Sequence, residues 1–280
     1  MFQFLVFLFG TICGSFVNVV VFRYGTESVV FPRSHCTRCH KIIAWYDNIP
    51  ILSWILLGAR CRNCKKPISW QYPLVELLSG MGALLAFSRF GYSSMSICIF
   101  VALLSLLTIG LIDFRIFVIP LAPLVVILIC SLGASSYHYS LWLIEMPGGS
   151  FKLGFLTWFL PKIIGGIAGF VVLASILVIS TYMARKSGRI EKDQLAMGWG
   201  DPLLVGTIGA FLGWQALAWV VMLGCIQGII YFFLMQRLSP TQQAQNCEDA
   251  DIPQQSLPLG TFLCLAAIEL VIFWPAFKFH

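Results

Sequence analysis

From Pro202 to Met235 the chain carries no charged side chain. A helix crosses a bilayer with roughly 20 apolar residues, so this run is too long for a single crossing. The break it offers is Gly213-Trp214-Gln215. The run follows directly on an aspartate, Asp201, in Gly198-Trp199-Gly200-Asp201. An acid at the edge of a membrane is costly enough to count as a functional candidate. The glycines on either side of Trp199 remove bulk beside it, so another chain can approach the carboxylate.

The rest of the chain has the same character. Of its 280 residues 59% are hydrophobic and 11% charged, where soluble domains carry about 25% charged residues. We read an all-α polytopic membrane protein with about eight transmembrane helices, at 2–22, 73–88, 95–112, 117–135, 160–183, 201–213, 215–235 and 258–277. Run 2–22 is uncharged, and no basic residue precedes it. That favours a retained first helix with its N-terminus outside over a cleaved signal. Segments 23–72, 113–116, 184–200 and 236–257 then hold 14 of the 18 Lys and Arg and are assigned to the cytosol. The net charge of +6 reports orientation, since nucleic-acid binding needs basic residues gathered on a soluble face. On this topology Asp113 ends the third run as it reaches the cytosol and Asp201 starts the sixth as it leaves. Both acids fall at one membrane face. Segment 136–159 lies outside, and the polar segment 237–257 reads as flexible.

Loop 23–72 contains two Cys-x-x-Cys turns, Cys36/Cys39 and Cys61/Cys64. Two such turns supply the four thiolates of a structural zinc site, with no position open for water or substrate. The alternative is four free or redox-active thiols. The other six cysteines are scattered, mostly in apolar runs, and read as ordinary buried thiols.

Two carboxylates a few ångströms apart do not ionise together, so the pair holds a proton that one member lacks. The ionised acid can take a proton from water while the neutral one protonates a scissile carbonyl or leaving amine. Asp113 and Asp201 are candidates for that chemistry. Read alone, either acid could equally mark a helix end at the lipid boundary.

Several motifs in order along the chain resemble those of the type IV prepilin leader peptidases, polytopic aspartic proteases. They are Gly14-Ser15-Phe16-Val17-Asn18, the tetracysteine loop with Asp47-Asn48-Ile49-Pro50, and Tyr72-Pro73-Leu74-Val75-Glu76. Asp113 with Ile119-Pro120, Gly198-Trp199-Gly200-Asp201, and Leu257-Pro258-Leu259-Gly260-Thr261-Phe262-Leu263 complete the set. The resemblance implies removal of a basic leader from prepilins and pseudopilins after a glycine, in the bacterial inner membrane at its cytosolic face. It also implies N-methylation of the new terminus from S-adenosylmethionine. On this reading Asp113 and Asp201 are catalytic, and Cys36, Cys39, Cys61 and Cys64 hold structural Zn²⁺.

Gly14, Ser15, Asn18 and Glu76 are small or polar positions in the apolar runs flanking the loop. We take them as candidate contacts to the methyl donor or the nascent amine, with close helix packing as the alternative for Gly14 and Ser15. The corresponding division is a first helix at 1–22, a zinc loop at 23–72 associated with methyl transfer, and a peptidase core at 73–280. Partners are prepilin substrates and lipid, with no nucleic acid. Two departures stand out. Leu203 occupies a position where the family usually has lysine, and Leu121 follows Pro120 where it often has aspartate. Competing readings are a silent membrane scaffold, a proton-coupled transporter, or a peptidase lacking methyl transfer. A transporter's acids are expected near the bilayer midplane, and these lie at one face.

Overall fold

A computed structural model describes all residues except 27, 30, 32, 146–150, 189–194, 196, 239–256 and 274–280. Among the described residues the fold is helical, and its β structure is limited to two isolated bridges. Ten helices follow in order: α1 Phe2–Arg23, α2 Leu52–Leu56, α3 Gln71–Phe90, α4 Ser94–Ile116, α5 Leu121–Glu145, α6 Phe151–Trp158, α7 Leu160–Lys186, α8 Gly200–Leu212, α9 Trp214–Leu238 and α10 Leu259–Phe273. Each of the eight expected apolar runs is a helix. Six (α1, α3, α4, α5, α7 and α9) are long and apolar enough to cross a membrane, while α8 and α10 are shorter. The long uncharged run breaks at Gly213, whose φ of 87° is a conformation glycine adopts without penalty.

Three boundaries differ from expectation. Helix α4 continues past residue 112, so Asp113 lies inside its last turn and is only 5% exposed. Helix α5 starts after Pro120 and runs to Glu145, and α6 occupies much of the rest of segment 136–159. Proline at 120 excludes the helical conformation for Ile119, which delays the start. Most of segment 237–257, expected to be flexible, lies outside the described residues.

The chain divides into two compact units, Met1–Leu104 and Ser105–His280, with the cut inside α4. In the first unit α1 and α3 run antiparallel. Gly10 lies against Ser79 and Ala83, Gly14 against Glu76 and Ser79, and Phe22 stacks on Tyr72 with centroids 4.9 Å apart. Gly10 and Gly14 are spaced as a small-xxx-small pair, which lets two backbones approach where lipid offers no hydrophobic drive for association. In the second unit α7 packs antiparallel on α8 through Gly165 against Gly209 and Gly169 against Val205. Glycines 224 and 228 of α9 receive Leu263 and Phe262 of α10 in the same manner.

Candidate active site and metal centre

The carboxy-terminal unit gathers its polar groups where α4 ends and α8 and α10 begin. The first N–H groups of a helix lack intrahelical acceptors. Asp113 serves as such an acceptor for α10. Its Oδ2 receives the Thr261 N–H at 2.7 Å and the Thr261 hydroxyl at 3.0 Å. The same hydroxyl also lies 2.9 Å from the Gly110 carbonyl. A Cβ on Gly260 would lie 3.0 Å from the carboxyl carbon of Asp113, so the helix start reaches the acid only because residue 260 has no side chain.

Asp201 sits in the first turn of α8, half-buried, where the helix dipole favours negative charge. The Asp113 charge acts directly on it, and both carboxylates act on the buried Cys264 thiol. Sequence reasoning brought the two acids to one face; the fold brings them within electrostatic reach of each other. Gly200 was expected to make room for an approaching substrate. Instead a Cβ there would lie 2.9 Å from Ile119 Cβ, so the position belongs to packing. Gly198 is the more open of the two.

In the amino-terminal unit, the two Cys-x-x-Cys segments fold as a repeated knuckle, each position matched 25 residues on. Cys36 N–H donates to the Lys41 carbonyl at 3.0 Å, and Cys61 N–H to that of Lys66 at 2.9 Å. His40 and Lys65 both take positive φ, 55° and 56°, and the bridges His35–Ile42 and Arg60–Pro67 correspond. The four Sγ atoms lie within 4.8 Å of one another, with Cys36 and Cys64 at 3.9 Å. Tetrahedral zinc–thiolate bonds of about 2.3 Å require sulfurs about 3.8 Å apart, so the donor set fits zinc. Backbone N–H groups of Cys64 and then Asn63 pull the Cys61 thiol down to about 7. Cys64, despite the Lys66 N–H, is pushed up to about 11 by burial and the other thiols, so the first proton leaves the set easily and later ones do not. A bidentate Arg62–Asp47 pair, both bonds 2.7 Å, braces the second knuckle against the 45–48 turn and holds the Asp47 carboxyl below its ordinary value.

Beneath the knuckles the four remaining candidates assemble on the α1–α3 contact. Glu76 Oε2 accepts the Ile51 N–H at 2.7 Å, and the Ser15 hydroxyl lies close to the carboxyl. Asn18 donates to the Tyr72 carbonyl at 3.1 Å, while its own Oδ1 and the Ser79 hydroxyl are buried with no hydrogen-bond partner. Gly14 is used for packing: a Cβ there would lie 2.7 Å from Ser79 Oγ. Ile51 has φ 61°, unusual for a β-branched residue and a mark of stored strain. Buried polar atoms are nearly always satisfied, so the Glu76 carboxyl with these two orphans makes a candidate cradle for a ligand. The donor and acceptor chemistry fits a small cationic group such as a sulfonium or an amine.

Sequence reasoning missed Thr261, Gly260, Ser79 and Ile51. The first two lie in a quoted motif and were legible in principle; Ile51 contributes only a backbone N–H, which residue type does not reveal.

Residues 8–90 match the bacterial peptidase A24 N-terminal domain, and residues 98–233 match the type IV leader peptidase family. The chain is similar to a prepilin leader peptidase/N-methyltransferase of Myxococcus xanthus (strain DK1622), 34% identical over 286 residues spanning 96% of this chain and 78% of that protein. A protein of the same description from Aeromonas salmonicida (strain A449) is 29% identical over 296 residues, 94% of this chain and 87% of that one. A type 4 prepilin-like proteins leader peptide-processing enzyme of Escherichia coli O78:H11 is 29% identical over 281 residues, 94% and 90%. No solved structure matches the chain.

Proposed function

The chain belongs to the type IV leader peptidase family, and from that premise we propose that it cleaves prepilin leaders and N-methylates the exposed terminus. The observation that carries the peptidase half is the meeting of Asp113 and Asp201 beside the Thr261 N–H. With one proton between them, the ionised carboxyl takes a proton from water as the water oxygen attacks the carbonyl carbon of the leader's final glycine. The protonated carboxyl gives its proton to the carbonyl oxygen. Collapse of the tetrahedral species breaks the C–N bond, and a proton from the pair leaves on the new amine. Thr261 ties up Oδ2 of Asp113, so proton exchange falls to Oδ1 and to Asp201.

The methyltransferase half is assigned to the Glu76 cradle. A sulfonium donor such as S-adenosylmethionine supplies the methyl group when bound there. Glu76 offers the negative charge that holds a cation, while Asn18 Oδ1 and Ser79 Oγ offer acceptors to orient the amine. Zinc in the tetracysteine knuckles is structural and fixes the loop that presents Ile51 to Glu76. The working division is a first helix at 1–22, a zinc loop at 23–72 and a peptidase core at 73–280. The basic-residue count supports an inner-membrane enzyme with both sites facing the cytosol.

The test is incubation of purified protein with a prepilin, with and without S-adenosylmethionine, and mass spectrometry of the pilin N-terminus. Leader loss plus one methyl group is the expected result. An unprocessed substrate would favour the scaffold reading, and cleavage without methylation would favour a peptidase alone.

A further inference from the structure

We propose that the zinc lobe is seated in the lipid interface, with the outer face of α2 embedded among headgroups and upper acyl chains. Three observations converge on it.

The first is an apolar face with nothing polar on it. Leu52, Ile55 and Leu56 stand at i, i+3 and i+4 of α2, one side of a helical turn, and are 49%, 61% and 76% exposed. Trp45 and Trp70, the latter next to the start of α3, are 75% and 73% exposed. So much exposed apolar surface on one small lobe marks an interaction site, and tryptophan is the residue of membrane interfaces.

Depth is the second. The Ile51 N–H at the start of α2 is bonded to Glu76, five residues inside α3. At 1.5 Å per residue that is about 8 Å along the helix from Gln71. The middle of α2 is held level with the helix start, because Trp54 packs on Trp70 with ring centroids 4.2 Å apart. Helix α2 therefore runs between the level of Glu76 and that of the start of α3, a span that overlaps the depth of about 5–10 Å at which interfacial helices bury their apolar face.

Charge selects the occupant. Segment 23–72 carries eight basic side chains against two acidic ones, and it remains cationic after the two negative charges of a zinc tetrathiolate are counted. A cationic leader peptide is the wrong partner for such a surface. Anionic phospholipid is the complementary one, and each basic residue near such a bilayer contributes about 1 kcal/mol of attraction.

The experiment uses full-length, zinc-loaded protein in nanodiscs of phosphatidylethanolamine and phosphatidylglycerol. Leu56 is replaced by the photo-crosslinker p-benzoylphenylalanine, with Arg62 on the second knuckle as the comparison position. Illumination should give a phospholipid adduct at position 56 that is lost at position 62. A protein adduct at 56, whether to the chain itself, a second copy or added prepilin, would overturn the proposal. So would no adduct at 56, or equal lipid labelling at both positions. Zinc content reports folding, and if the Leu56 variant loses metal, the same replacement at Leu52 or Ile55 carries the test. The readout is lipid labelling, so its failure leaves the peptidase and methyltransferase assignments untouched.

Discussion

Glu76 and Asp113 are two buried carboxylates on membrane helices, one in each unit, and they are held alike. Each accepts a backbone N–H at 2.7 Å from the start of another helix, and each has a hydroxyl close by, that of Ser15 near Glu76 and that of Thr261 bonded to Asp113. Their company differs. Asp113 faces a second acid, Asp201, whereas Glu76 has the neutral Asn18 and Ser79 beside it, with acceptors to spare. A pair of acids passes protons; a single acid among unsatisfied acceptors binds a cation. On the proposed function, one way of fixing a carboxylate serves two chemistries, and the neighbour decides which.

The sharpest break between the two sites comes from Asp113→Asn and Asp201→Asn. An amide cannot cycle a proton, so each should cost cleavage the roughly 10²–10⁴-fold that a positioned acid or base supplies. Methylation of an already cleaved pilin should stay at the wild-type rate, read by mass spectrometry. Next in size is Cys39→Ser, for which zinc should fall from about one per chain to near none by metal analysis. With the lobe loosened, Ile51 leaves Glu76, so methylation should fall further than cleavage. Equal losses would contradict the assignment of lobe and cradle to one site.

Glu76→Gln keeps the shape and removes the charge. A hydrogen bond to a charged group contributes about 1.5–3 kcal/mol, so methyl transfer should drop about 10- to 100-fold with cleavage intact. Its counterpart is Thr261→Val, which removes the hydroxyl on Asp113 but keeps the N–H. Cleavage should slow about tenfold, with methylation unchanged.

The smallest effect belongs to Arg62→Ala, which breaks an ion pair exposed at its Arg62 end and should lower the lobe's thermal stability only slightly. Arg62 lowers the Asp47 carboxyl below its ordinary value, so the pair's contribution is complete above that ordinary value. The difference between variant and wild type should close as pH falls through the lowered value, as thermal scans across acid pH would register.

The helices were legible because a bilayer leaves the backbone little choice: a run of about 20 apolar residues is a helix or it is elsewhere. Asp113 and Asp201 were legible for the same reason, as charges where charge is costly. The supports were not. Thr261 works mainly through a backbone N–H and Ile51 wholly through one, and a peptide group is the same in every residue. Gly200 was read as room for a substrate, but the fold uses it for close approach to Ile119; Gly14, read as a donor contact or a packing position, packs against Ser79. A missing side chain in a sequence does not say what fills the space. The end of α4 was misjudged by one turn, because Asp113, Arg115 and Ile116 remain helical after the apolar run stops.

Helix α8 has 13 residues, about 20 Å of rise, against a hydrocarbon layer about 30 Å thick. It runs from Gly200, beside Asp201, to Leu212, with Gly213 and the exposed Trp214 and Gln215 directly beyond. Nine of its thirteen residues are buried, and it packs on α5, α7 and α9. Its shortness is met by protein on its flanks, not by lipid. A helix jacketed in this way need not match the bilayer, so the position of Asp201 follows from packing and is insulated from acyl-chain length.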